Sequence, residues 1–285
     1  MEVALVTHEG LPGLADDDQR LVPALERFGI RGRAAVWSDP TVPWDQFVGC
    51  VLRSTWDYYL QREKFLDWVD RMARVTRLWN PAPVVHWNSH KSYLRDLEDR
   101  RISVVPTVWS DGSKSLLELL DEHGWDRIVF KPAVSAAAHR TYVATRETLE
   151  VSEPLYRDLC SEQTVLVQPY MAGTEDPGEH SLVFLDEAFS HAVDRPARLS
   201  PRGGPTGGQP VLATAEERTF GHTVLRAVGS RTLYARVDTV RDSKGTLCLM
   251  ELELVEPSLF LAADAEAPTR LAAAIATRLR ESAAD

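Results

Sequence analysis

This sequence is poor in cysteine: Cys50, Cys160 and Cys248 are the only three, far apart and each within an apolar run. An odd, scattered set excludes a disulfide framework or a cysteine zinc site and reads as buried thiols in a reducing cytoplasm. No apolar stretch approaches the roughly 20 residues that cross a bilayer. The segment from Met1 to Gly13 lacks a basic flank and a small-residue cleavage site, so it starts a strand rather than an export signal. There is no basic stripe. With 32 Lys+Arg against 42 Asp+Glu, a net charge of -10 argues against nucleic acid as a partner. It does not exclude a nucleotide triphosphate, which a few local cations and metal ions can hold inside an acidic protein. No Ser/His/Asp or Cys/His nucleophile signature is present, and the histidines show no metal-ligand spacing. What remains is a folded chain of 285 residues, long enough for two or three subdomains sharing cores.

The first eighty residues read as a small α/β layer with a parallel sheet. Strands are predicted over Glu2–Thr7, Arg33–Trp37 and Phe47–Leu52, with a helix from Asp16 to Phe28. A second helix carries Phe65, Trp68, Val69 and Met72 on one face. Trp79-Asn80-Pro81 ends that unit, and Pro83 extends the break. Ser89 is expected to cap a helix holding Lys91, Tyr93, Leu94 and Leu97. Ile128–Lys131 and Val165–Gln168 are strand-like, and Leu199–Pro210, with four glycines and three prolines, is a loop. Thr214–Val228 reads as a helix. A hairpin follows, Thr232–Arg241 and Thr246–Glu256 around Asp242-Ser243-Lys244-Gly245, and then a helix over Thr269–Arg280 that packs back on the core.

That hairpin is the most informative segment, because it sets carboxylates inside apolar strands. Alternation puts Arg236 and Asp238 on one face, and Glu251 and Glu253 on one face of the partner strand. If the faces coincide, four charges converge. Clustered buried acids repel unless cations bind them, and magnesium is the natural partner for such hard oxygen ligands. The plain alternative is a solvent-facing strand with Arg236 paired to one acid. Lys131, at the end of Val129-Phe130-Lys131, projects where it could hold a phosphate as a point charge. Lys91, in the first turn of its expected helix, opposes the helix dipole unless a negative ligand offsets it.

Taken in order, Lys91, Phe130-Lys131-Pro132, Gln168-Pro169-Tyr170-Met171, Gly178-Glu179, Arg236-Val237-Asp238 and Glu251-Leu252-Glu253 resemble the ATP-grasp superfamily. The likeness is to its glutathione-synthetase-like branch and spans about residues 85 to 262. Arg53-Ser54-Thr55-Trp56-Asp57-Tyr58-Tyr59 and Tyr234-Ala235-Arg236-Val237-Asp238 look like a small-molecule biosynthetic group within it. That group includes the cyclo-ligase of D-cycloserine formation and γ-glutamyl ligases.

The resemblance implies an α/β (α+β) ATP-grasp fold: an N-terminal Rossmann-like subdomain over 1–82, and two lids over 83–170 and 171–285 that enclose ATP. It implies that Lys91 and Lys131 contact ATP phosphates and that Gln168, Pro169, Tyr170 and Met171 form the adenine hinge. Glu175 or Glu179 would reach the ribose. Gly203, Gly204, Gly207 and Gly208 would close over phosphates with Arg198 or Arg202. Asp238, Glu251 and Glu253 would hold magnesium, two ions by this reading. The last of these positions is often Asn in the superfamily, which could alter the charge balance around the second ion.

The implied reaction activates a carboxylate as an acyl phosphate, which a nitrogen nucleophile then attacks. Arg236 would hold the oxyanion or a substrate carboxylate, with Lys131 on the transferred phosphoryl group. Arg53, Ser54, Trp56, Asp57 and Tyr58 could line a pocket for an α-amino acid, with Arg53 on its carboxylate and Asp57 on its ammonium. Ser135, Ser258, Asn88 and His139 are further candidates. Joining of two amino acids is the expected outcome, with ring closure of one as the alternative. A kinase or a nucleotide-binding regulatory module is the reading from another class. No membrane contact is expected, and a homodimer is consistent with such relatives.

Overall fold

The apolar run at the N-terminus becomes β1 (Glu2–Thr7), in which Val3, Ala4, Leu5 and Val6 have no exposed surface. This computed structural model describes residues 1–136, 138–171, 178–195 and 208–281. Glu175, Arg198, Arg202, Gly203, Gly204 and Gly207 lie outside the described residues. With β2 (Arg31–Val36), β3 (Gly49–Ser54) and β4 (Leu78–Trp79), β1 forms a four-stranded parallel sheet in the order β2-β1-β3-β4. Both faces of such a sheet are covered, so alternate residues of one strand enter different cores. Val3 and Leu5 pack with Leu271, Ile275 and Leu279 of the C-terminal helix, while Ala4 and Val6 pack with Trp37, Phe65 and Trp68.

Two helices stand where the sequence suggested one. Segments α1 (Asp16–Gln19) and α2 (Leu21–Glu26) break at Arg20. In a continuous helix Pro23 could not bond to the Gln19 carbonyl and its ring would strike it, so the chain restarts with Pro23 in a first turn. Helix α3 (Arg62–Val75) buries the expected Phe65, Trp68, Val69 and Met72.

The region after Pro81 departs further from expectation. It is helical, as α4 (Ala82–Asn88), because Pro83 falls in the first turn, where a missing N–H costs nothing. Ser89 therefore ends a helix rather than starting one: its hydroxyl donates to the His86 carbonyl at 2.9 Å. Helix α5 (Tyr93–Asp99) begins only after Lys91, so Lys91 occupies the junction and not a first helical turn.

The middle sheet is antiparallel: β5 (Val108–Ser110), β6 (Arg127–Pro132), β7 (Tyr142–Thr145) and β8 (Val165–Pro169), in the order β5-β8-β6-β7. Helices α6 (Leu116–His123) and α7 (Leu149–Glu162) share its core through Leu119, Leu120, Tyr156 and Leu159. The third sheet, also antiparallel, holds β9 (Glu179–Leu185), β10 (Ala188–Arg195), β11 (Gln209–Val211), β12 (Tyr234–Arg241) and β13 (Leu247–Glu253), ordered β11-β10-β9-β12-β13. Ala235, Val237, Leu252 and Leu254 meet Val224 and Leu225 of α8 (Ala215–Val228), which leaves the opposite face of β12 and β13 for charge. Helix α8 starts in a reciprocal Thr214–Glu217 capping box, and α9 (Ala267–Glu281) closes the chain against β1.

Candidate active site

Strand register decides what the hairpin can do. Arg236 stands directly opposite Glu253, and Asp238 opposite Glu251, so the four charges share one face. Arg236 is 4% exposed and grips Asp238 in a fork, Nε to Oδ1 at 2.8 Å and Nη2 to Oδ2 at 2.9 Å, while also pairing with Glu253. Asp238 further accepts from Ser181 at 2.6 Å and from Arg195 at 3.2 Å. Oxygens of Asp238, Glu251 and Glu253 all lie within 4.8 Å of one another.

The electrostatics follow from burial and partners. Burial pushes the Asp238 pKa up, but Arg236 and Arg195 hold it below the ordinary aspartate value. Glu251 is likewise held down against burial, by Lys91 and Lys131. Glu253 goes the other way: burial, with Asp238 and Glu251 beside it, outweighs Arg236 and raises it. Three carboxylates at this spacing fit a hard divalent cation, and Arg236 and Lys91 stand as counter-ions beside them.

Arg236, Glu251, Glu253 and Lys91 line one cavity of about 520 Å³ that also takes in Lys131, Gln168, Met171 and Glu179, with Asp238 buried behind it. The Lys91 ammonium pairs with Glu251, and its backbone N–H donates to the Ala133 carbonyl at 2.9 Å, which ties the α4–α5 junction to the end of β6. Lys131 is 8% exposed and has no hydrogen-bond or ion-pair partner among the described residues; burial draws its pKa below the lysine value. The middle and third sheets thus each contribute a wall.

Along β8 and beyond, Gln168 donates to Thr107 Oγ1 at 2.9 Å, and the Arg127 guanidinium sits 3.5 Å from the Tyr170 ring centroid. Pro169, Tyr170 and Met171 join the lining, as do Ser135 and Ser258. The Ser258 carbonyl accepts from Arg236 at 3.3 Å. Glu179 accepts from Arg195 at 3.1 Å, and burial lifts its pKa to about 7. Gly208 lies away from the cavity, where a Cβ would stand 2.5 Å from Val193.

The segment after β3 divides. Trp56 and Tyr58 face the cavity, but Arg53, Ser54 and Asp57 do not. Arg53 has no exposed surface: it donates to Asp18 at 3.0 Å and to the Pro257 carbonyl at 2.6 Å, under the Tyr234 ring. Ser54 donates to the same Asp18 at 2.7 Å. Asp57 accepts from Trp37 at 2.9 Å and lies 4.0 Å from His8. The expected carboxylate and ammonium contacts of Arg53 and Asp57 are thereby corrected: neither side chain lines the cavity, Arg53 being paired inside the fold and the partly exposed Asp57 bonded to Trp37. His139 packs on Tyr59 at 5.0 Å instead of entering the cavity.

Two asparagines that sequence reasoning missed as organisers hold the hairpin in place. Asn80 donates to the Tyr234 and Leu254 carbonyls, both at 2.9 Å, and accepts from Leu233 N–H at 2.7 Å. Asn88 donates to the Leu252 carbonyl at 2.9 Å and accepts from Leu254 N–H at 2.7 Å. Glu256, also overlooked, lines the cavity.

Comparison with known proteins places this geometry. The cycloserine biosynthesis protein DcsG of Streptomyces lavendulae is 32% identical over 98% of this chain and 99% of its own length. The chain belongs to the ATP-grasp ligases. The crystal structure of D-cycloserine synthetase DcsG matches with a TM-score of 0.90, at 30% identity, over 98% of this chain and 100% of that one. Residues 3–80 match the family model of the N-terminal domain of D-cycloserine synthetase DcsG. An ATP complex of D-alanine–D-alanine ligase from Bacillus anthracis matches with a TM-score of 0.67 over 99% of both chains, at 14% identity, a likeness of fold alone. This ATP-grasp chain is accordingly an ATP-dependent carboxylate–amine ligase, and no helix among its described residues is long and apolar enough to cross a membrane.

Proposed function

We propose that the chain closes an amino acid into a ring by activating its carboxylate with ATP and capturing it with a nitrogen of the same molecule. The observation that carries this reading is the end-to-end likeness to a D-cycloserine synthetase, in a chain whose charged residues converge on one cavity. Lys131 and Lys91 hold the ATP phosphates, while Gln168, Pro169, Tyr170 and Met171 frame the adenine. Asp238, Glu251 and Glu253 would hold magnesium, which would draw charge off the phosphates. The substrate carboxylate oxygen attacks the γ-phosphorus and ADP leaves. The nitrogen then attacks the acyl carbonyl, and phosphate departs as that nitrogen loses a proton. Arg236 faces the charge that builds on the carbonyl oxygen, and the cavity walls keep water from the acyl phosphate.

The test is phosphate release with ATP and magnesium, screening amino acids singly and in pairs, with mass spectrometry of the products. Release on one amino acid with loss of one water supports ring closure. A strict need for two amino acids, joined in the product, overturns it in favour of intermolecular ligation. No release with any of them would overturn the ligase reading.

A further inference from the structure

Most of the charge in the cavity is mutually satisfied. Lys91 pairs with Glu251, Arg236 with Asp238 and Glu253, and Arg195 with Glu179 and Asp238. Among the described cavity residues two charged groups stand apart, the Lys131 cation and the Glu256 carboxylate. Glu256 is 8% exposed, and its carboxylate has no hydrogen-bond or ion-pair partner among the described residues. Burying an ionised carboxylate without a partner costs several kcal/mol, so a position like this fits a ligand cation.

Three observations say which cation. Glu256 lies outside the group of carboxylates close enough to share a metal, which is Asp238, Glu251 and Glu253. A lone carboxylate makes a poor magnesium site but a good acceptor for an ammonium with its three N–H donors. Trp56 and Tyr58 line the same cavity, and the Trp56 indole donates to the Glu256 backbone carbonyl at 3.0 Å, which sets an aromatic wall beside the carboxylate. The loop itself is held: Arg53 binds the Pro257 carbonyl and Arg236 the Ser258 carbonyl. Such anchoring fixes Glu256 before substrate arrives. Its pKa agrees in direction: burial and then Glu253 drive it well above the glutamate range, and the pull of Lys91 and Arg236, each already paired to another acid, does not bring it back.

We propose that Glu256 receives the α-ammonium of the amino-acid substrate, with Trp56 and Tyr58 as the walls of that subsite. The assignment rests on the proposed amino-acid ligase reading and adds to it the residue that recognises the substrate's α-ammonium. It takes the place the sequence had given to Asp57.

The experiment compares wild type with Glu256→Gln and Glu256→Ala, using the amino acid that gives the fastest phosphate release in the screen above. Its counterpart with hydrogen in place of the α-amino group is run alongside. Circular dichroism and the melting temperature establish that each variant is folded. Wild type is expected to favour the amino acid strongly, and both variants to raise its KM about 10- to 100-fold, the worth of a hydrogen bond to a charged group. Discrimination between the two compounds should collapse toward parity while ADP affinity stays within about two-fold of wild type, since the lost contact is to the substrate alone. Intact discrimination in folded variants overturns the assignment alone, as does loss of ADP affinity. A wild type that releases no phosphate with any amino acid overturns the ligase reading and this assignment together.

Discussion

Replacing Arg236 with methionine keeps most of the side-chain volume and removes one charge from the centre of the hairpin. The loss can be sized from its contacts. Arg236 makes two fork hydrogen bonds to Asp238 and one to Glu253 in a position only 4% exposed. Breaking a buried pair by removing one partner costs about 3–5 kcal/mol. Asp238 keeps Ser181 and Arg195, and Glu253, though left without an ion-pair partner among the described residues, has a side chain 28% exposed to water, so the expected cost is at the low end, about 3 kcal/mol. At roughly 2–4 °C per kcal/mol for a chain near this size, Arg236→Met should melt about 6–12 °C below wild type in EDTA. The same change leaves Asp238, Glu251 and Glu253 within 4.8 Å of each other with less opposing charge. Millimolar magnesium should therefore raise the melting temperature of the variant by more than it raises that of wild type. Thermal unfolding followed by circular dichroism, with EDTA and then with magnesium chloride, measures both effects. A drop smaller than about 2 °C in EDTA would refute the ion-pair reasoning. An equal magnesium response in the two proteins would refute the assignment of these carboxylates as a metal site.

Lys131→Met should separate stability from binding. Removing a buried ammonium that has no partner should leave the melting temperature unchanged or higher, while ADP affinity by calorimetry falls about 10- to 100-fold, the worth of a charge-assisted phosphate contact; unaltered affinity would remove Lys131 from the phosphate site. Gly221→Ala tests the packing of α8 on β9, since its Cβ would stand 2.5 Å from the Phe184 ring. The expected cost is about 1–3 kcal/mol, read as a lower urea midpoint at constant slope, and a neutral result would mean that Phe184 gives way freely. Glu217 titrates at about 2, because the His180 hydrogen bond and the Thr214 cap overcome burial. A folded pKa below the unfolded value of about 4.3 stabilises above that pH and is lost as pH falls toward 2, so Glu217→Gln should flatten the decline in melting temperature across this window. Parallel curves for the two proteins would contradict it.

The fold was legible wherever side-chain alternation is itself the structural constraint. Strands β1, β6, β8, β12 and β13 were visible as apolar runs, and the hairpin turn at Asp242–Gly245 came with its residues, Gly245 having φ of 80°. Proline misled twice, in opposite directions. Pro23 splits a segment whose periodicity suggested one helix, and Pro83 starts a helix where two prolines suggested a break. The same missing N–H is costly in a helix interior and harmless in a first turn, so the outcome depends on where a helix begins. Periodicity alone does not specify that point.

The site shows a second limit of the same kind. Alternation puts Arg236 with Asp238, and Glu251 with Glu253, but convergence of the pairs depends on hairpin register, and the shift between Asp238 and Thr239 alters that register mid-strand. For Arg53 and Glu256 the deciding contacts lie in other parts of the chain. Both are charged residues at the end of an apolar strand run, and by local pattern they look alike. Arg53 is neutralised by Asp18, 35 residues earlier, and donates to a carbonyl 204 residues later, so it serves the fold. Glu256 comes to lie in one cavity with Trp56 and Tyr58 of the N-terminal unit, and no ion pair reaches its carboxylate among the described residues. Whether a buried charge belongs to the structure or waits for a ligand is thus settled by whether the fold brings it a partner. Sequence identifies the charge, and only tertiary contacts identify the missing counter-ion.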